Sequence, residues 1–380
     1  MKIVFICSSL ELGKDGVGDY TRRLAGELIR KGYTVCIIAF HDKYIDKIQQ
    51  EVQITQDYEV PTLRLPSGIS WNKRIKMAKE YVDEFNPDWL SLQYVPYGFQ
   101  EKGLPFGLVN SLIQISAGRK WNIMFHELWI GRGKAQPLRR KVVSYFQEFL
   151  ITRLIKTLHP ECIHTHLPIY KEKLQKISSK VYNLPLFATI SIYPFKKDSK
   201  TLKNNFRMAF FSQVILSFSV IQFLKDFTSL LLKKGYHPEV IFIGGNKQKM
   251  DELKAVLEKE LKKTTITTTG FLPEQEVSEY IYQCQLGVTS VPRHALGKSA
   301  SVAAFLSHGV PVAAPYVHEE MRGHGQIGFY SDNLKKTIQL HPSWEEYVTA
   351  KEAVQLYKEE IMLPLITANF VVDLQVSEKV

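Results

Sequence analysis

Residues 1–24 read M-K-I-V-F-I-C-S-S-L-E-L-G-K-D-G-V-G-D-Y-T-R-R-L: an apolar run at 3–7, a loop with three glycines, then the opening of a helical pattern. A short unbroken apolar run reads as a strand buried on both faces, and a strand feeding a helix through a tight loop begins a βαβ unit. The run is too short for a secretory leader and ends in an acidic, glycine-containing loop. Gly16 and Gly18 let the backbone approach a ligand closely, and Asp19 or Thr21 is placed to cap the helix. Thr21 takes the third glycine position of a dinucleotide fingerprint, and Gly13-Lys14 lacks the Ser or Thr of a P-loop. An NTPase is therefore disfavoured. The plainer alternative is a βα loop whose glycines serve only the turn.

Outward from this stretch, apolar runs alternate with amphipathic ones along the whole chain. Strands are expected at 34–39, 89–93, 122–125, 162–164 and 181–184, and again at 207–212, 240–243, 265–268, 287–290 and 311–314. Helices are expected to open near Val220, Lys247, Glu274 and Ser299. Such alternation predicts an α/β protein with parallel sheets covered on both faces. At 380 residues there is room for two domains. The seam falls where L-P-L-F-A-T-I-S-I-Y-P gives way to the polar K-K-D-S-K-T-L-K-N-N, so the expected division is 1–190, 191–355 and a C-terminal segment, 356–380, returning towards the first domain.

No stretch approaches the roughly 18–20 apolar residues that span a bilayer, and a cytoplasmic location is expected. Cys7, Cys36, Cys162 and Cys284 show no C-x-x-C spacing and read as buried thiols. The net charge of +11 favours anionic partners. Zinc-finger spacing, RNP aromatics and a basic tail are all missing, so nucleic acid is the weakest of these.

Two further loops carry chemistry. In W-N-I-M-F-H-E-L-W, His126 and Glu127 directly follow a strand and can hydrogen-bond sugar hydroxyls or move a proton, unless the histidine merely caps its own loop. In V-P-R-H-A-L-G-K-S-A-S-V-A-A-F-L-S-H-G-V-P-V, Ser299 and Ser301 stand at a helix start beside Arg293 and Lys298, which together suit a diphosphate. An ordinary capped helix with surface cations is the alternative. H-T-H at 164–166 has no third ligand in range, so the two histidines read as structural or exposed and no metal is expected.

With these loops in place, the chain resembles the GT-B glycosyltransferases of retaining family 4 (glycosyltransferase group 1) over nearly its whole length. G-V-G-D-Y-T-R-R-L and the following G-Y-T-V look like that family's acceptor-domain opening, and F-H-E-L like its histidine loop. G-F-L-P-E-Q-E-V-S-E-Y-I-Y-Q-C-Q-L-G-V-T-S-V-P and H-G-V-P-V-A-A-P look like its donor-domain core. The resemblance implies two Rossmann-like doubly wound domains facing a central cleft, with a nucleotide-sugar co-substrate of unspecified base. On this reading catalysis is expected at His126 and Glu127, a donor at Arg293, Lys298, Ser299, Ser301 and Gly16, and an acceptor at Gly18, Asp19 and Tyr20; Arg293 and Lys298 are placed there by the charge a leaving diphosphate requires and not by the family pattern. The resemblance also implies retention of configuration without a cofactor or obligatory metal; a role in cell-surface polysaccharide or glycoconjugate synthesis is expected from the basic stretch between Arg119 and Lys156.

The departures are specific. The family's Glu pair aligns with Leu296 and Ala304, its Gly-Arg with Ser212-Gln213 and its nearby Lys with Phe218. A catalytically silent GT-B protein that binds a sugar nucleotide or a partner enzyme is thus the competing expectation, and a sugar-nucleotide epimerase of the same architecture a third. Between Arg119 and Lys156, Arg132, Lys134, Arg139, Arg140, Lys141, Arg153 and Lys156 interleave with Trp129, Tyr145, Phe146 and Phe149. That pattern suits peripheral contact with an anionic membrane and a lipid-linked acceptor, or else a solvated basic face.

Overall fold

The computed structural model describes residues 1–131, 136–193, 204–212, 214–317 and 332–377. The chain divides into two compact units, Met1–Leu184 with Ile366–Val380, and Pro185–Leu365.

The first unit runs β1 (Lys2–Cys7), α1 (Gly16–Arg30), β2 (Thr34–Asp42), β3 (Gln49–Thr55), β4 (Tyr58–Pro66), α2 (Trp71–Phe85), β5 (Trp89–Tyr94), α3 (Pro96–Phe99), α4 (Leu108–Ser116), β6 (Lys120–Phe125), α5 (Leu138–Leu158), β7 (Cys162–Thr165), α6 (Pro168–Gln175) and β8 (Val181–Asn183). Among the described residues its sheet has eight strands in the order β3-β4-β2-β1-β5-β6-β7-β8. Every neighbouring pair is parallel except β3 with β4. β1 and β5 are buried along nearly their whole length because helices cover both sheet faces, which is why they read as unbroken apolar runs.

The antiparallel hairpin corrects the expectation of a purely parallel sheet. β3 alternates half-buried and exposed residues at the sheet edge, and the turn residues Gln56 and Asp57 both have positive φ, 48° and 67°. Two left-handed residues in a two-residue loop make a type I′ turn, whose usual signal is Asn-Gly or Asp-Gly. Gln-Asp conceals it.

The second unit runs β9 (Asn205–Phe211), α7 (Phe218–Lys233), β10 (His237–Ile243), α8 (Lys247–Glu260), β11 (Thr265–Thr268), α9 (Glu274–Tyr282), β12 (Leu286–Val288), a 3-10 turn (Arg293–Lys298), α10 (Ala300–Ser307), β13 (Val312–Ala313), α11 (Asp332–Lys336), β14 (Ile338–Gln339) and α12 (Trp344–Glu360). Its six described strands are all parallel, in the order β11-β10-β9-β12-β13-β14. Counted within the unit this is 3-2-1-4-5-6, the doubly wound order, whose direction reverses between β9 and β12. A Cβ on Gly287 would meet the Phe305 ring at 2.6 Å, so glycine on β12 is what lets α10 lie flush on the sheet at that reversal.

The last helix, α13 (Leu363–Ser377), belongs from Ile366 onward to the first unit. Phe370 stacks on Phe5 with ring centroids 6.0 Å apart, and Asp373 accepts a hydrogen bond from His164 at 3.1 Å. No single described helix is long and apolar enough to cross a membrane.

Candidate functional site

In open α/β sheets, ligands settle at the carboxyl ends of the strands where the strand order reverses. In the first unit that point lies between β1 and β5. The loop leaving β1 is held down by ion pairs: Arg64 bridges Glu11 and the fully buried Asp42, at 2.8 Å to each, and Asp42 also accepts from the Leu10 N–H.

Helix α1 is capped by Asp15, which corrects the expectation of Asp19 or Thr21. Asp15 accepts from the Val17 and Gly18 N–H groups at 2.9 and 3.2 Å, and from the Ser8 and Ser9 hydroxyls. A carboxylate already satisfies this helix end, so an anion placed at Gly16 would meet like charge. Thr21 lies one turn inside the helix and bonds back to the Val17 carbonyl, while Asp19 pairs with Arg22 at 2.8 Å. Gly18 is buried, and a Cβ there would stand 2.5 Å from the Ser9 carbonyl oxygen. Its smallness seats α1 against the end of β1. Gly16 has open space around it.

The structure brings Tyr20 and His126 together. Their rings meet edge to face with centroids 4.8 Å apart, and both are buried. Burial pushes the Tyr20 hydroxyl well above its ordinary pKa, so it acts as a neutral phenol. His126 is not poised over solvent: its Nε2 bonds Gln93 Oε1 at 3.0 Å and its Nδ1 faces His166 Nε2 at 3.1 Å. Glu127, the next residue, is half-buried.

From His126 a chain of buried side chains crosses the sheet. Gln93 Nε2 donates to Ser91 Oγ at 3.0 Å, Ser91 donates to Asn122 Oδ1 at 2.7 Å, and Asn122 Nδ2 reaches His164 Nδ1 at 3.0 Å. His164 Nε2 then bonds Asp373. Sequence reasoning missed Ser91, Gln93, Asn122 and Asp373. The available signal was polar residues inside otherwise apolar strands, W-L-S-L-Q-Y and K-W-N-I-M-F, since buried polar groups require partners.

In the second unit the reversal lies between β9 and β12. Ile215 N–H donates to Ser290 Oγ at 3.1 Å, joining the loops that leave those two strands. Ser212 adopts φ of 69°, a left-handed conformation at the position where the resemblance places glycine. Gln213 lies outside the described residues. Ser299 caps α10, its Oγ accepting from Val302 N–H at 3.4 Å and standing 3.0 Å from Ser301 Oγ. Lys298 closes the 3-10 turn immediately before it and, like both serines, is half-buried.

Arg293 is engaged by backbone carbonyls. Its Nε donates to the Ala314 carbonyl at 2.8 Å and one terminal nitrogen to the Leu340 carbonyl at 3.0 Å, clamping the ends of β13 and β14. Burial lowers its pKa while Glu346 opposes the shift. Leu296 and Ala304, which align with the family's Glu pair, are buried in the apolar core. No carboxylate can occupy those positions without disrupting packing. Ile215 and Phe218 stand exposed at the start of α7, offering apolar faces at the same sheet edge.

No family model matches the chain, and no curated protein matches it. Solved structures do. The chain is similar in fold to Anabaena Alr3699/HepE in complex with UDP and glucose, at 14% identity and TM-score 0.58, covering 99% of this chain and 100% of that one. It is similar to a glycosyltransferase from Rickettsia africae, at 11% identity and TM-score 0.58, over 100% and 98% of the two chains. It is also similar to the α,α-trehalose 6-phosphate synthase of Burkholderia multivorans, at 9% identity and TM-score 0.62, over 100% and 97%. Two parallel-sheet Rossmann-like units, each with its own reversal of strand order, give this chain the GT-B fold.

Proposed function

We propose that the protein is a glycosyltransferase that takes a sugar from a nucleotide-sugar donor and holds that donor at the carboxyl edge of the second unit's sheet. The observation that carries this reading is the helix α10, which opens at Ser299 on the edge where the strand order reverses. Its first-turn N–H groups, the Ser301 hydroxyl and the Lys298 ammonium are the groups for a diphosphate, and they stabilise the charge that grows there as the sugar leaves. Arg293 shapes the loop from behind through its two carbonyl bonds. The solved complexes of Alr3699/HepE hold UDP and UDP-glucose, which makes a uridine diphosphate sugar the first donor to test.

The acceptor belongs to the first unit, where Tyr20 packs on His126, Glu127 follows it in the chain and Asp19 precedes Tyr20, with Gly18 setting the helix position. The reading includes a saccharide or lipid-linked acceptor in cell-surface polysaccharide or glycoconjugate synthesis. It also includes retention of configuration without a metal, and work in the cytoplasm against an anionic membrane. With both ring nitrogens engaged, His126 acts by fixing its loop. Glu127 is the group for contact with hydroxyls.

Burial of Leu296 and Ala304 supports the second reading, a silent GT-B protein that binds a sugar nucleotide. Release of UDP from UDP-sugars, measured with and without saccharide acceptors, separates the two. Turnover that rises with acceptor and falls at least about tenfold in Lys298→Ala supports transfer. Binding without turnover supports the silent protein, and a new sugar epimer formed without acceptor would mean an epimerase.

A further inference from the structure

Helix α5 has two faces that differ in kind. Leu150, Ile151, Leu154, Ile155 and Leu158 are buried in the first unit. Turned outward are Leu138, Val142, Tyr145 and Phe149, spaced by four, three and four residues and so aligned on one stripe, with Phe146 beside them. These five side chains are between 45% and 77% exposed. The stripe continues off the helix: Phe106, at the entry to α4, meets Phe146 edge to face with centroids 6.1 Å apart, and Ile113 on α4 is exposed too. Contiguous apolar surface of this kind marks a place where something docks.

The charges around it indicate what docks. Along α5 lie Arg139, Arg140, Lys141, Arg153 and Lys156 against one carboxylate, Glu148. Three of the cations sit in the first helical turn, with no acidic residue there, although the helix macrodipole favours the reverse. The arrangement works against the helix itself and in favour of an external anionic surface.

We propose that the exposed face of α5, together with Phe106 and Ile113, is a docking surface for an anionic lipid bilayer. The aromatic and aliphatic side chains enter the boundary between headgroups and acyl chains, and the five cations meet lipid phosphates. Aromatic side chains with a polar tip, such as Tyr145, suit that boundary. A second copy of the chain fits poorly, because a two-fold contact lays this cation-rich face on its own image. The inference deepens the membrane contact proposed above and rests on the transferase reading only for a lipid-linked acceptor. Arg132 and Lys134, which the sequence places beside this helix, lie outside the described residues.

The test is sedimentation of the full chain with phosphatidylcholine vesicles and with vesicles carrying about a third phosphatidylglycerol. The protein is expected to pellet with the anionic vesicles and remain in solution with the neutral ones. Arg139→Glu/Arg140→Glu and Phe146→Ser/Phe149→Ser are each expected to weaken binding about tenfold or more, whereas Lys254→Glu/Lys259→Glu on α8 leaves it unchanged. All six positions avoid the buried cores, and unchanged melting temperatures check that the variants fold. Equal binding to both vesicle types, no binding to either, or anionic binding that the α5 variants leave intact overturns the proposal. So does a dimer, seen by sedimentation without lipid, that Phe146→Ser/Phe149→Ser dissociates. UDP release from a UDP-sugar in lipid-free buffer reports on the transferase reading alone, and the α5 variants leave it unchanged.

Discussion

Nδ1 of His126 stands 3.1 Å from Nε2 of His166, and the partners beyond each ring fix which nitrogens carry hydrogen. Asn122 Nδ2 donates to the Cys162 carbonyl, which turns Oδ1 towards the Ser91 hydroxyl. That hydroxyl accepts from Gln93 Nε2, leaving Gln93 Oε1 to take a hydrogen from His126 Nε2. At the far end His166 Nδ1 donates to the Leu184 carbonyl. Two neutral rings held in this way would face each other lone pair to lone pair.

The contact is a hydrogen bond only when a third N–H hydrogen is present, shared between the two facing nitrogens. Nitrogen-15 spectra of histidine-labelled protein near neutral pH are expected to show three protonated ring nitrogens over the two residues. A count of two would mean that the rings do not bond each other. His126→Ala removes the hydrogen bond to the buried Gln93 Oε1, at about 1–3 kcal/mol. Any loss of activity in that variant therefore has to be read beside its melting curve.

Gly18 and Gly16 provide a matched pair. Gly18→Ala drives a Cβ to 2.5 Å from a backbone carbonyl that cannot move aside, and about 1–3 kcal/mol of stability is expected to go. Gly16→Ala meets nothing within 4 Å and is expected to be neutral or to stabilise slightly. Denaturant melts of the two variants check both outcomes, and equal effects would contradict the close packing of α1 on the end of β1.

Glu346 is the third residue after the α12 cap Ser343, and it accepts from the Leu340 and His341 N–H groups at 2.8 and 2.9 Å. Burial opposes its charge, but these donors and the His341 ring outweigh burial and hold its pKa below the usual glutamate value. A depressed folded-state pKa contributes stability above the ordinary carboxylate range and loses it as pH falls through the folded value. Glu346→Gln is expected to be about 1 kcal/mol less stable at neutral pH, the partial exposure keeping the effect small. The gap should close as the wild type is acidified. Because Leu340 also receives Arg293, the variant is expected to loosen the loop before α10 and, if that loop holds the donor as proposed, to raise KM more than it lowers kcat.

Much of the fold was legible because buried parallel strands announce themselves: β1, β2, β5, β6, β9 and β10 are apolar runs that water would otherwise meet. The β3–β4 hairpin was hidden because its turn uses Gln56 and Asp57 where Asn-Gly would have signalled it. β14 is two residues long and gives no periodicity to read. At the site, Ser299 was legible as a cap because a hydroxyl before an apolar helix has one usual task. The engagement of His126 was not, since its partners come from β5 and from beyond β7, and only folding brings them within reach. The carbonyl bonds of Arg293 were hidden for the same reason: residues 314 and 340 come beside it only in the folded chain.

A crystal of the protein soaked with UDP-glucose shows whether α10 receives the diphosphate of a nucleotide sugar. Diphosphate oxygens are expected within hydrogen-bond distance of Ser301 and the first-turn N–H groups of α10, with Lys298 Nζ beside them. Diphosphate bound at another edge of the fold, or no nucleotide bound at saturating concentration, would contradict that placement.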